Sequence, residues 1–211
     1  ATETVHFSDI NGLTIGTVDG LNGVATNNGD IGLQTGGALA INQALSAGTA
    51  NVGLNGGGAV TQGAAGIITA NQLNLRGSGP FTLTNASNDV NTVGANTSGA
   101  IQLTDVDDLT VGSVNAVGTL AAVTGITAAG NVALTTTNGG ALTTGNYTQS
   151  GTGSANVNGG GSLTVNGTLA VSGTAGLDPL AANLRVDLET VELLPLQPYF
   201  ADQLTLTITD G

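Results

Sequence analysis

Residues 101–114 read IQLTDVDDLTVGSV, and residues 5–18 read VHFSDINGLTIGTV. The two align without a gap. Asp9, Leu13, Thr14, Gly16 and Val18 recur as Asp105, Leu109, Thr110, Gly112 and Val114, and most remaining positions are near-synonyms. The echo continues: residues 23–39 return as 125–142, 48–52 as 153–157, and 55–61 as 158–164. A unit of roughly 100 residues is therefore duplicated, which directs the reading toward repeat architectures.

Within each copy the text is short apolar–small–apolar runs. LTI (13–15), IGL (31–33), LAI (39–41), NVGL (51–54), LNL (73–75) and FTL (81–83) come first. IQL (101–103), LTV (109–111), VAL (132–134), LTV (163–165) and LAV (169–171) follow. This is the period-2 pattern of strands with one buried face. Gly, Asn, Asp and Ser clusters separate the runs and supply the positive φ of tight corners. No window carries a helical period with caps.

A sandwich and a solenoid both fit such strands. The long internal repeat, aromatics at only 2% and Gly/Asn corners favour the solenoid, where stacked Asn side chains can hydrogen-bond along the axis. Two or three strands would make a coil of about 20–25 residues, stacked at about 4.8 Å. Eight or nine coils, a rod of about 40 Å, are expected over 1–177.

Beyond residue 177 the text changes. Residues 178–211 hold Pro179, Pro195 and Pro198, lose glycine until Gly211, and alternate in LRVDL (184–188) and LTLTI (204–208). Solenoid ends are open sheet edges that need covering. The tail is expected to be a distinct C-terminal cap, or an assembly segment that adds a strand to the next subunit.

The net charge is −12 and the only Arg or Lys residues are Arg76 and Arg185. Phosphate neutralisation needs a basic surface, so nucleic acid is an unsuitable partner. No apolar run is long enough to span a bilayer, and no membrane insertion is expected. The opening ATETVHF would suit a mature N-terminus left by signal cleavage. There is no Cys, hence no disulfide or thiol chemistry.

The residue pattern gives no catalytic, cofactor-binding or metal site to assign. Asp105, Asp107 and Asp108 form the densest acidic group, and Ca²⁺ is the one ion they suggest; solvated loop carboxylates are the plainer reading. His6, the sole histidine, is expected to face outward on the first strand. NGGG at 55–58 and 158–161 reads as solenoid corners, since a phosphate loop needs a following Lys and helix. Two Arg in unlike contexts and no Trp argue against a polysaccharide-cleaving enzyme, and the Thr positions form no single strict rank of an ice-binding face.

The runs GGALAINQALSAGTANVGLNGGGAVTQGAAGIITANQLNL (36–75) and NDVNTVGANTSGAIQLTDVDDLTVGSV (88–114) resemble the repeats of filamentous-haemagglutinin-like exoproteins, adhesins exported by two-partner or autotransporter secretion. The resemblance covers about residues 5–170. It implies a right-handed parallel β-helix, an extracellular or cell-surface location and a structural or adhesive role, and it carries no catalytic residue.

The resulting expectation is a secreted, non-enzymatic, all-β parallel solenoid. It would polymerise with itself head-to-tail, through residues 2–18 and 184–208. The alternative is an adhesin fragment that binds host or matrix glycans through its lateral face.

Overall fold

A computed structural model describes residues 3–144 and, by backbone, the strands Tyr147–Gln149, Ala155–Asn158 and Leu163–Val165. The chain divides into Ala1–Val171 and Ser172–Gly211. Every described strand lies in the first unit. The run 169–171 and the tail 178–211, with Arg185 and the 184–208 segment, lie outside the described residues.

The described residues form no helix. They build a parallel β-solenoid whose strands fall into three ladders, visited in the same order on each coil. Ladder I begins with Val5–Asp9, Ile31–Thr35 and Asn51–Gly56. Ladder II begins with Leu13–Ile15, Leu39–Ile41 and Val60–Gln62. Ladder III begins with Val24–Ala25 and Leu45–Ser46. On the next two coils a single bent strand, Ile68–Gly77 and then Asp89–Thr97, serves ladders III and I together. That continuity joins I and III into a 12-stranded sheet, while ladder II is a separate 7-stranded sheet.

Every run named from the sequence between 13 and 165 is a strand, or part of one, in this stack. Val5 pairs with Ile31, Ile31 with Val52, Val52 with Leu73 and Leu73 with Val93, so an early coil takes 20 to 26 residues.

In-register stacking turns the alternating pattern into columns. Ile31, Val52, Leu73 and Val93 form one; Leu33, Leu54, Leu75, Ala95 and Ile126 another; Leu39, Val60, Phe81, Ile101 and Val132 a third. All are buried. Each fully buried aliphatic contributes about 1.5–3 kcal/mol of transfer free energy, and Phe81 is the one aromatic in these columns.

Corners carry a different constraint. At 55–58 the chain turns directly over the previous corner, and a Cβ on Gly57 would collide with the carbonyl oxygen of Gly36. The NGGG run is thus a corner, as its sequence suggested; residues 159–161 of its echo lie outside the described residues. Side-chain carbonyls stand in for backbone ones where the ladders break. Asn88 Oδ1 accepts Ile68 N at 2.9 Å, and Asp105 Oδ1 accepts Val90 N at 2.9 Å. Expected stacking of Asn along the axis occurs at Asn91, whose Nδ2 donates to Asn71 Oδ1 at 3.2 Å.

The duplicated unit does not return to the same face. Val5–Asp9 lies in ladder I, but its echo Ile101–Asp105 lies in ladder II; Leu13–Ile15 lies in II, but its echo Leu109–Val111 lies in the sheet of ladders I and III, beside Thr92 and Val93 of the bent strand. The first strand of the second copy is thus one ladder on from that of the first. Each face asks for the same thing, an alternating strand with its apolar side inward, so the unit fits any of them.

Candidate functional site

Among the described residues two coils are longer than the rest, and each carries an antiparallel hairpin. Thr17–Val18 pairs with Leu21–Asn22, and Ser113–Val114 pairs with Val123–Thr124. The hairpins occupy equivalent places in the two copies and are closed alike. Gly23 N donates to Gly16 O at 2.9 Å, and Gly125 N to Gly112 O at 2.8 Å. The second hairpin is extended by an inner bridge, Val117 with Leu120, and forms an arm.

The arm lies on the outer face of ladder I. The outward positions there are a register column: His6, Gly32, Gly53, Asn74 and Gly94. Glycine makes this face a trough. Val114 lies over Gly94; Val117 and Leu120 lie over Gly53; Val117 also meets Gly32; and Gly118 rests against the His6 ring. Any side chain at Gly53 would collide with Val117 and Leu120. Val114, Val117 and Leu120 are buried accordingly.

Polar side chains pin the arm from below. Asn74 Nδ2 donates to Asn115 O (3.0 Å) and Ala121 O (2.9 Å). Arg76 donates from Nε to Ala121 O (3.0 Å) and from Nη2 to Ala122 O (2.8 Å). Gln72 Oε1 accepts Asn115 N at 2.8 Å. Arg76 is thus engaged with backbone carbonyls of the arm. The arm tip and the first strand enclose a cavity of about 120 Å³ lined by His6, Phe7, Gln34, Thr119 and Leu120 among others. That is well below the roughly 300–1,000 Å³ of small-molecule pockets.

The acidic group does not converge. Asp105 is fully buried; its Oδ1 takes Val90 N and its Oδ2 takes Asp107 N at 3.2 Å. Burial pushes its carboxyl from 3.8 up to about 7, against the pull of those two N–H donors, with a smaller push from the Asp107 and Asp89 carboxylates. Asp107 and Asp108 are exposed, and Asp108 Oδ1 accepts Ala141 N at 2.7 Å. Among the described residues, no three His, Cys, Asp or Glu side chains are grouped to hold a metal ion. His6 is exposed on the first strand. The outward column of ladder II runs Thr14, Ala40, Thr61, Thr82, Gln102, Ala133, which is no uniform threonine rank.

The first coil exposes large apolar side chains. Phe7 continues the Leu33 column but is 48% exposed; Ile10 is 88%, Val18 71% and Leu21 75% exposed. The strand edges of Val5–Asp9 and Leu13–Ile15 pair on one side only among the described residues.

The arm and its trough were not read from the sequence, although a signal was there. Residues 18 and 114 align at an offset of 96, while 23 and 125 align at 102. Six extra residues between two aligned glycines mark an insertion. Gly at the outward position of IGL, VGL and VGA marks a covered face.

Comparison with family models, with curated proteins and with solved structures gives no match for this chain.

Proposed function

We propose that this chain is non-enzymatic structural material of the cell exterior, a β-solenoid that extends head-to-tail into a filament. The carrying observation is the first coil, where Phe7 of the Leu33 column is half-exposed and, among the described residues, three parallel strands pair on one side only. A parallel coil seated there would bury Phe7 over a further apolar residue and continue each hydrogen-bond ladder. Open strand edges recruit such pairing, and a heterologous contact that does not close on itself gives filaments. The resemblance to filamentous-haemagglutinin-like repeats and the scarcity of charge support an extracellular, structural role.

Electron cryomicroscopy of the purified chain, with and without residues 178–211, tests this. Filaments with one subunit per roughly 40–50 Å of axis, shortened or lost when the tail is removed, are the expected result. Discrete rods in both samples would overturn self-assembly. The search would then turn to glycans on the outer column of ladder II, the lateral face that the arm leaves open.

A further inference from the structure

An asparagine followed by glycine carries its own electrophile and nucleophile. With no Cβ on the glycine, the backbone is free to bring the glycine nitrogen onto the asparagine carboxamide carbon. Seven Asn–Gly pairs occur in the chain. Five lie within the described residues: Asn11–Gly12, Asn22–Gly23, Asn28–Gly29, Asn55–Gly56 and Asn138–Gly139. In sequence these are equivalent; in the fold they are not.

Three are held. Gly23 N donates to Gly16 O at 2.9 Å, and Asn22 Oδ1 accepts Thr17 Oγ1 at 2.6 Å. Asn28 Oδ1 accepts Thr49 N at 3.0 Å, and Gly29 is buried against the backbone of Glu3. Asn55–Gly56 lies in a strand with ladder partners on both sides, and Gly56 is buried. Two are open. At Asn11–Gly12 and Asn138–Gly139 both residues are exposed. Among the described residues, neither the glycine N–H nor the asparagine carboxamide of these pairs has a hydrogen-bond partner.

We propose that Asn11 and Asn138 are sites of spontaneous modification, converting to aspartyl and isoaspartyl residues. Hydroxide removes the proton of the Gly12 or Gly139 amide, and the nitrogen's electron pair adds to the Asn Cγ. The Cγ–Nδ2 bond then breaks, ammonia leaves with a proton from water, and a succinimide ring is closed. Water opens the ring at either carbonyl. Opening at the side-chain carbonyl gives Asp; opening at the backbone carbonyl gives isoaspartate, with the chain routed through the side chain. Water and hydroxide are the only co-reactants.

The duplication indicates what each product does to the first coil. Residue 11 aligns with Asp107. The two corners are built alike: Asn11 N donates to Asp9 Oδ1 at 2.8 Å, and Asp107 N to Asp105 Oδ2 at 3.2 Å. The second copy thus already carries at this corner the acid that Asn11 would become. The isoaspartyl product differs. Gly37 N donates to Asn11 O at 2.8 Å, and that oxygen leaves the main chain when the link moves to the side chain. Both products add a negative charge to the first coil, and one also loosens its corner.

The test follows the five pairs in one sample. The full chain, kept dilute and monomeric by sedimentation, is incubated in mildly alkaline buffer and sampled by peptide mapping that separates Asn, Asp and isoaspartyl forms. A parallel sample is held unfolded in urea, where all five pairs should convert at similar rates. In the folded chain Asn11 and Asn138 should convert at close to their unfolded rates, while Asn22, Asn28 and Asn55 slow by about tenfold or more, since they react only through local opening. Folded-state conversion led by Asn22, Asn28 or Asn55, or Asn11 and Asn138 slowed as much as these, would overturn the assignment. Asn11→Asp should melt within ~2 °C of the parent; a larger fall would overturn the equivalence of the two corners.

Discussion

Asp105 shows how much one residue depends on its neighbours in space. As a carboxylate in water it would titrate near 3.8; folded, it holds its proton to about 7. Below pH ~4 it is protonated in both states and costs nothing. Between ~4 and ~7 the unfolded chain is ionised while the folded one keeps the proton, so stability falls as pH rises. Above ~7 the penalty is complete and constant. Asp105→Asn never ionises. The stability of the variant relative to the parent should therefore rise by about 1–3 kcal/mol from pH 4 to pH 8 in urea titrations. Parallel pH profiles would show that the carboxyl is solvated. The absolute offset is a separate matter, since the amide nitrogen replaces an acceptor of the Asp107 N–H. From the sequence, Asp105 looked like one of three loop carboxylates; the corner turns it inward and leaves Asp107 and Asp108 outside.

The arm is the element whose role the strand pattern concealed. Its alternation is short, its strands are two residues long, and its stability comes from the trough it covers. Arg76 contributes two charge-assisted donors to Ala121 and Ala122, worth about 1.5–3 kcal/mol each at most. Arg76→Ala should raise hydrogen exchange at the Val117 and Leu120 amides, which bond each other's carbonyls, by about tenfold or more. The melting temperature should shift by only ~2 °C, because the columns beneath are unaffected. Unchanged exchange would mean that the apolar contacts over Gly32, Gly53 and Gly94 hold the arm alone. By contrast, the strands of the three ladders were legible. LTI, LAI, FTL and VAL each place an apolar residue at i and i+2, and stacking lets every coil enforce that register on the next.

At the scale of the whole molecule, a parallel stack puts its strands across its long axis. If molecules continue one another's ladders, oriented fibres should diffract near 4.7–4.8 Å on the meridian. The same reflection on the equator would mean that the solenoid axis lies across the fibre, and would point to lateral packing. The pattern distinguishes the two arrangements without knowledge of any contact.

Alternating runs, glycine corners and the duplication sufficed to specify a parallel solenoid with coils of just over twenty residues. Those features are local, and each coil repeats them. The sequence alone also placed the core, because inward positions in every ladder are its Leu, Ile and Val. Three things were decided only by tertiary structure. The first strand of the second copy sits one ladder on from that of the first, since an alternating strand with its apolar side inward fits ladder I and ladder II alike and its place is left to the number of residues between copies. Val18 is exposed while Val114 is buried, since burial there depends on whether a coil lies behind the hairpin. Asp105 is buried with its carboxyl pKa raised while Asp107 and Asp108 face water, since the solvation of a corner residue is set by the coils stacked on either side of it.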